Sequence, residues 1–277
     1  MRKLLSVLFL GICFGGCALG IEYNCPSTYE ISSGFSKFIS NASGSNFFYT
    51  KVLEQALEKQ AKKQFSGHFD VKLKSFSKKD LKEGKFKSLT ATGENIKIDD
   101  IAINKVTINS ICDFNQFAKN ENSKYEFVTD FPADITFELT SENINQIKNM
   151  TEFKNKIQKI NSQLNGFLNI QDVNFNVKDN KLVYDIDYTL PFSPKEQRIS
   201  VASDIMFFDN TVYNQSEAAN GKSAVMNFLK LTNALNYINP LDFSAKFLQN
   251  NNIATMIKNV YIKDDKVIVE ALLNITK

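Results

Sequence analysis

The chain has 277 residues, 43% of them hydrophobic and 23% charged, and a formal net charge of +3 at pH 7. This composition, with no low-complexity tract, excludes a disordered or fibrous protein and suits one large β-rich domain or two small ones. The charge is uneven, because residues 51–90 carry eleven Lys against five acidic residues, a local excess of +6. A basic segment on a nearly neutral protein suits a surface that meets phosphate groups, in lipids or in nucleic acid.

The first twenty residues predict a secretory signal peptide. Two basic residues precede an apolar run from Leu4 to Phe14, which is too short for a transmembrane helix of about 20 residues. Small residues at Ala18-Leu19-Gly20 suit ordinary cleavage, whereas Phe14-Gly15-Gly16-Cys17 resembles a lipoprotein box in which Cys17 would carry lipid. Both routes predict an exported protein of the periplasm or cell envelope, lipid-anchored in the second case. Export makes lipid, and not nucleic acid, the expected phosphate-bearing partner.

Two cysteines, Cys25 and Cys112, remain after the leader. In an oxidising compartment they are a candidate disulfide that would attach the mature N-terminus to a sheet, and the alternative is a pair of buried free thiols. The sequence has no CxxC motif or Cys/His cluster of the kind that binds zinc. No metal or cofactor is therefore predicted.

Residues 21–44 form a polar lead-in, and a helix is predicted from Asn46 to about Phe65. Apolar residues recur there at helical spacing, and Ser66-Gly67 follows as a stop signal. The expected apolar stripe consists of Phe48, Val52 and Ala56, with Leu53 and Leu57 beside it.

Strands are predicted from residue 69 to residue 139. Phe69, Val71 and Leu73 alternate with polar residues, as in a strand with one buried face. Short connections favour antiparallel pairing, because parallel neighbours need about a dozen or more crossover residues. The other strands are expected near 85–91, 95–98, 101–112, 125–129 and 134–139, with turns at Lys82-Glu83-Gly84, Thr92-Gly93-Glu94 and Asp99-Asp100.

A second long helix is predicted from Ser141 to about Leu164, where apolar residues recur in steps of three and four. Two similar segments, Val173–Tyr184 and Val260–Val269, predict hairpins with Lys-Asp-Asn-Lys and Lys-Asp-Asp-Lys turns. With a further helix near 222–238, these elements fit a pseudo-duplicated α+β domain, and chance similarity between the hairpins is the alternative. The stripe of the second helix consists of Ile144, Ile147, Met150, Phe153, Ile157, Ile160 and Leu164.

Four motifs within residues 50–117 carry a family resemblance. They are Asp70 to Ser77, Asp80 to Leu89, Thr92-Gly93-Glu94-Asn95 and Cys112 to Asn115. Together they resemble the LmeA-like phospholipid-binding family of bacteria. The resemblance weakens toward the C-terminus, and it implies an extracytoplasmic lipid-binding domain related to tubular lipid-binding folds.

The residues give little support for catalysis. The one histidine, His68, follows a helix stop and is more typical of a turn or surface position than of a general base. The chain has no G-x-S-x-G elbow and no glycine-rich phosphate loop outside the leader. Asp264-Asp265 lies at a predicted turn, and Asp185 and Asp187 alternate on a strand without a third ligand. We expect a protein that is not an enzyme.

The predicted fold is α+β, with one strongly curved antiparallel sheet packed around long helices in residues 45–277. Phe69, Val71 and Leu73 are candidates for a lipid groove. The expected function is non-catalytic binding, with transfer as an extension, of a phospholipid or related amphiphile. The alternatives are an envelope scaffold or adhesion module for a protein partner, and, for the lysines, a solvated strand edge. The candidate headgroup ligands are Lys72, Lys74, Lys78, Lys79 and Lys85.

Overall fold

The computed structural model describes residues 23, 25, 28–33, 45–63, 65–98, 101–120, 125–164, 166, 168–208, 211–216, 236–241 and 253–275. Strands account for 55% of the described residues and helices for 25%. The predicted signal peptide with Cys17, the Asp99-Asp100 turn and most of the predicted 222–238 helix lie outside the described residues.

The elements follow one another in this order. A short 3₁₀ turn (Ile147–Asn149) separates the third helix from the fourth. The helices and strands are α1 (Ser45–Lys62), β1 (Ser66–Lys74), α2 (Lys78–Lys82), β2 (Lys85–Phe86), β3 (Ser88–Ile98), β4 (Ile101–Ser110), β5 (Asn115–Lys119), β6 (Tyr125–Phe127), β7 (Phe131–Leu139), α3 (Ser141–Gln146), α4 (Thr151–Gln163), β8 (Asn169–Lys178), β9 (Lys181–Leu190), β10 (Ser193–Phe208), β11 (Thr211–Ser216), β12 (Ile253–Lys263) and β13 (Lys266–Ile275).

The strands form three antiparallel sheets. A six-stranded sheet has the order β1-β3-β4-β7-β13-β12, a four-stranded sheet the order β11-β10-β9-β8, and a small sheet the order β2-β5-β6. Alternate residues of the two larger sheets point into one continuous core. The period of two in their sequences thus separates an apolar face from a polar one.

The predicted fold class was wrong, since the described residues contain three sheets and four helices that are mostly short. The expected helix from Ser141 to Leu164 is divided into α3, the 3₁₀ turn and α4, with Met150 in an extended conformation. Its apolar stripe begins with three consecutive steps of three residues. Each such step falls about 60° behind the α-helical period, so one continuous helix would turn Ile144 and Phe153 to opposite sides. The break at Met150 keeps both side chains in the core.

Both predicted hairpins are present, as β8–β9 and β12–β13. Asp179, Asn180, Asp264 and Asp265 all have φ between 51° and 55°, as the central residues of tight two-residue hairpin turns require. The two hairpins belong to different sheets, and the described residues do not contain a duplicated α+β unit. The predicted turn at Thr92-Gly93-Glu94 was wrong, because β3 runs straight through it.

Helix side chains cover the open edges of two sheets. On α1, Glu54 Oε1 accepts from the Leu73 amide at 2.8 Å and Glu58 Oε1 accepts from the Val71 amide at 3.2 Å. These amides lie on β1, the edge strand of the six-stranded sheet. The two carboxylates replace the carbonyl groups of a missing neighbour strand and so protect the edge from pairing with another chain.

The same arrangement protects β8, the edge strand of the four-stranded sheet. The Asn145 amide bonds to both the N–H and the C=O of Phe175, and Asn161 does the same at Ile170. Ser141 Oγ accepts from the Val177 amide at 2.8 Å. Helices α3 and α4 therefore lie along β8 in the manner that α1 lies along β1.

Candidate functional site

The three predicted groove residues are core residues. Phe69, Val71 and Leu73 are buried in the cluster that also contains Leu53 and Leu57 of α1. Packing beside Phe69 is close, since a Cβ built on Gly93, its neighbour on β3, would lie 3.1 Å from the Phe69 ring. That these side chains bind an acyl chain stays a prediction.

The five predicted headgroup lysines are divided among three places. Lys72 and Lys74 lie on the polar face of β1, where Lys72 Nζ is 2.9 Å from Asp70 Oδ2. Lys78 and Lys79 lie on α2. Lys85 has a local structural role, because its ammonium group binds Glu83 at 2.8 Å and lies over the Tyr29 ring at 5.4 Å.

Helix α1 and the segment before α2 form one corner of the molecule. Ser75 Oγ donates to Asn46 Oδ1 at 2.9 Å and lies 3.3 Å from Thr50 Oγ1. These contacts hold the first turns of α1 beside the chain that enters α2, and the two helices touch. The end of β1, at Lys74, reaches the same corner.

The outward side of α1 in this corner carries three exposed apolar side chains. Phe47 is 62% exposed, Phe48 71% and Val52 64%, and the two rings meet edge to face with centroids 6.0 Å apart. The buried side of the helix is instead formed by Leu53, Leu57 and Ala61. Sequence reasoning placed Phe48 and Val52 on one apolar stripe, with Leu53 and Leu57 beside it, and did not identify this exposed surface.

Exposed lysines lie on the two elements that meet α1 at this corner. Lys74 at the end of β1 and Lys79 and Lys82 on α2 are all exposed. The nearby Lys51 is paired with Glu54 at 2.7 Å, and this hydrogen bond raises the pKa of the lysine. We call the set Phe47, Phe48, Val52, Lys74, Lys79 and Lys82 the α1–α2 surface.

The one carboxylate of α2 is buried beneath these lysines' helix surface. Asp80 is only 2% exposed, and its Oδ2 accepts from Ser77 Oγ at 2.6 Å. Its Oδ1 accepts from both the amide and the hydroxyl of Ser32, at 2.8 and 2.9 Å. Ser77 in turn caps the helix by accepting from the Asp80 amide.

Ser32 belongs to an N-terminal strap, which we define as Cys25 and residues 28–33. Cys25 and Cys112 form a disulfide with Cα atoms 5.4 Å apart, the arrangement that the sequence favoured equally with two free thiols. Within the strap, the Tyr29 hydroxyl donates to the carbonyls of Phe86 and Asn115, at 3.1 and 2.8 Å. Burial raises the pKa of Tyr29 to about 12.

The acidic residues considered for chemistry have local partners. Asp187 forms a two-bond ion pair with Arg198 at 2.6 and 2.7 Å, and these hydrogen bonds lower the pKa of Asp187. Asp185 accepts from Asn176 and Ser200. Within the described residues, no group of three or more His, Cys, Asp and Glu side chains could hold a metal ion.

No protein-family model, curated protein or solved structure matches this chain. The resemblance to the LmeA-like family and the activity it implies therefore stay predictions. Among the helices of the described part of the chain, none is both long and apolar enough to cross a membrane.

Proposed function

We propose that the protein binds anionic phospholipid membranes through the α1–α2 surface, without catalysis. The observation that carries this proposal is the exposure of three large apolar side chains, Phe47, Phe48 and Val52, on a helix that touches the lysine-bearing helix α2. Aromatic and aliphatic side chains gain free energy by entering the acyl-chain boundary of a bilayer, and lysines gain it from the negative headgroups. The apolar side chains therefore suit the acyl-chain boundary of an anionic membrane, and the lysines suit its headgroup layer.

The expected affinity is modest. Each lysine near an anionic surface contributes about 1 kcal/mol before salt screening. Each apolar side chain adds at most about 1.5–3 kcal/mol, if it is fully buried. Three lysines and three partly inserted side chains therefore suit reversible peripheral binding.

Membrane binding at the surface is more compatible with the packed core than lipid binding in a closed groove is. Phe69, Val71 and Leu73 are packed against α1, so an acyl chain would have to displace α1 to reach them. Binding at the α1–α2 surface leaves that packing unchanged. Transfer of lipid between membranes is an additional activity that this proposal does not require.

The test is sedimentation of the protein with vesicles of phosphatidylcholine, with or without phosphatidylglycerol. We expect binding to the anionic vesicles, weaker binding to the neutral ones, and a smaller difference in high salt, because exposed charges are screened over about 8 Å at physiological ionic strength. The double variant Phe47→Ser/Phe48→Ser should bind the anionic vesicles about tenfold more weakly. Phe208→Ser is the matched control, since Phe208 is 73% exposed on β10, outside the α1–α2 surface.

The lysines are tested separately. Lys79→Glu/Lys82→Glu should lower the affinity for anionic vesicles and leave binding to neutral vesicles unchanged. Lys154→Glu/Lys263→Glu makes the same change in net charge at exposed positions on α4 and β12. Equal losses in the two double variants would show that net charge alone drives binding. Equal affinity of the unaltered protein for the two vesicle types would contradict the proposal.

A further inference from the structure

The N-terminal strap lies directly on the helix that carries Lys79 and Lys82. Ser32 supplies two donors to Asp80, one from its amide and one from its hydroxyl. Asp80 is buried in α2, and its carboxylate also holds the cap residue Ser77. The conformation of α2 therefore depends on a hydrogen-bond network that the strap completes.

Within the described part of the chain, Tyr29 and Glu30 hold the rest of the strap. Tyr29 bonds to two carbonyl groups and packs edge to face on Phe76 and Phe114, with ring centroids 6.3 and 5.3 Å away. Lys85 donates to the Glu30 carbonyl at 3.2 Å. The disulfide joins this segment to a residue 87 positions later in the chain. Without it, the backbone entropy lost on ordering the strap would have to be offset by non-covalent contacts.

We infer that the Cys25–Cys112 disulfide controls the membrane affinity of the α1–α2 surface, an inference that rests on the proposed function. In the oxidised protein the strap completes the Asp80 network and fixes α2. In the reduced protein the strap detaches, and the Asp80 carboxylate loses both Ser32 donors. A buried carboxylate that loses hydrogen bonds is strongly disfavoured. The α2 turn consequently opens to water, and its lysines are no longer held at the corner that α2 forms with α1.

The redox step needs a dithiol as the reductant. Cys25 is exposed, whereas Cys112 is buried, so the thiolate of the reductant attacks Cys25 Sγ and Cys112 leaves as a thiolate. The second thiol of the reductant then attacks the mixed disulfide and releases Cys25. The reductant loses two electrons and becomes a disulfide, and both cysteines end as thiols after protonation.

The experiment compares oxidised protein with protein reduced by dithiothreitol, using vesicles that contain phosphatidylglycerol. Reduction should weaken vesicle binding about tenfold, the equivalent of one or two lysine contacts. Amide hydrogen exchange in residues 78–83 should increase at the same time. Cys25→Ser/Cys112→Ser should behave as reduced protein whether or not dithiothreitol is present.

Ser32→Ala provides a second variant, in which the disulfide is intact and the Asp80 network has lost its hydroxyl donor. Ser32→Ala should weaken vesicle binding less than reduction does, and faster amide exchange should again be confined to α2. This variant keeps the inference testable if the cysteine variant fails to fold. Equal vesicle binding and equal exchange in α2 before and after reduction, with the free thiols verified by mass spectrometry, would overturn the inference. Failure of the oxidised protein to bind would instead reject the proposed function, and the exchange measurement would still report whether the strap controls α2.

Discussion

At the residue scale, Gly84 shows how one position fixes the corner beside α2. Its φ is +76°, its amide donates to the Leu81 carbonyl, and its carbonyl accepts from Phe117. A Cβ built there would lie 1.8 Å from the Phe117 carbonyl oxygen. Both the backbone conformation and the close approach therefore require glycine.

Gly84→Ala should lower the free energy of unfolding by about 2–5 kcal/mol, because left-handed strain of about 1–2 kcal/mol adds to an overpacking cost of about 1–3 kcal/mol. Gly166→Ala is the matched control, since Gly166 has a φ of +78° and nothing within 4 Å of its built Cβ. In the control, the free energy of unfolding should fall only by the cost of the left-handed strain. Urea unfolding of both variants measures the difference, and equal losses would show that the contact with Phe117 relaxes freely.

Tyr29 gives a pH-dependent contribution to stability. Its pKa is raised from 10.0 to about 12 by burial, so folding favours the neutral phenol. The contribution is complete below pH 10, where the phenol is neutral in both states, and it is lost as the pH rises toward 12. The stability difference between the protein and Tyr29→Phe should therefore be constant below pH 10 and decrease above it. A difference that did not change up to pH 12 would contradict the burial of this hydroxyl.

At the element scale, the side chains along the strand edges decide how the helices dock. Asn145 replaces a whole peptide group of a neighbour strand by bonding to both backbone groups of Phe175. Asn145→Ala should lower the free energy of unfolding by about 2–3 kcal/mol, since two buried backbone groups lose their partners. Asn176→Ala is the control, because Asn176 is exposed and its side-chain amide donates to the Asp185 side chain. Its change should stay within about 0.5 kcal/mol in thermal or urea unfolding.

Sequence patterns predicted individual elements better than their contacts. The hairpin turns at Asp179-Asn180 and Asp264-Asp265 were predictable, because the required positive φ limits the residue types locally. The exposed strip on α1 was not, since Phe48-Val52-Ala56 and Leu53-Leu57-Ala61 both repeat every four residues. Only packing against β1 shows which stripe faces the core. The edge-covering roles of Glu54 and Asn145 likewise depend on strands that no local pattern specifies.

At the scale of the whole molecule, the order of strands in the six-stranded sheet could not be read from the chain. Short connections predict β3 beside β4, which the structure confirms. They give no indication that β13 pairs with β7, from Leu139 opposite Val267 to Phe131 opposite Ile275. Such distant pairings depend on matching apolar faces across the whole fold. The wrong expectation of a single curved sheet arose at this scale.

The pairing of β13 with β7 determines when the fold can be completed. Strands β1, β3, β4 and β7 are all made before residue 140, but β7 gains its second neighbour only when residues 266–275 have been made. Until then its free edge and the apolar face around Ile135 and Phe137 are open to other chains. A chain that ends at Ser216 should bind hydrophobic dyes and unfold without a cooperative transition, and a peptide of residues 253–275 should restore the transition. A chain of this topology therefore needs protection from pairing with other chains until the β12–β13 hairpin has been made.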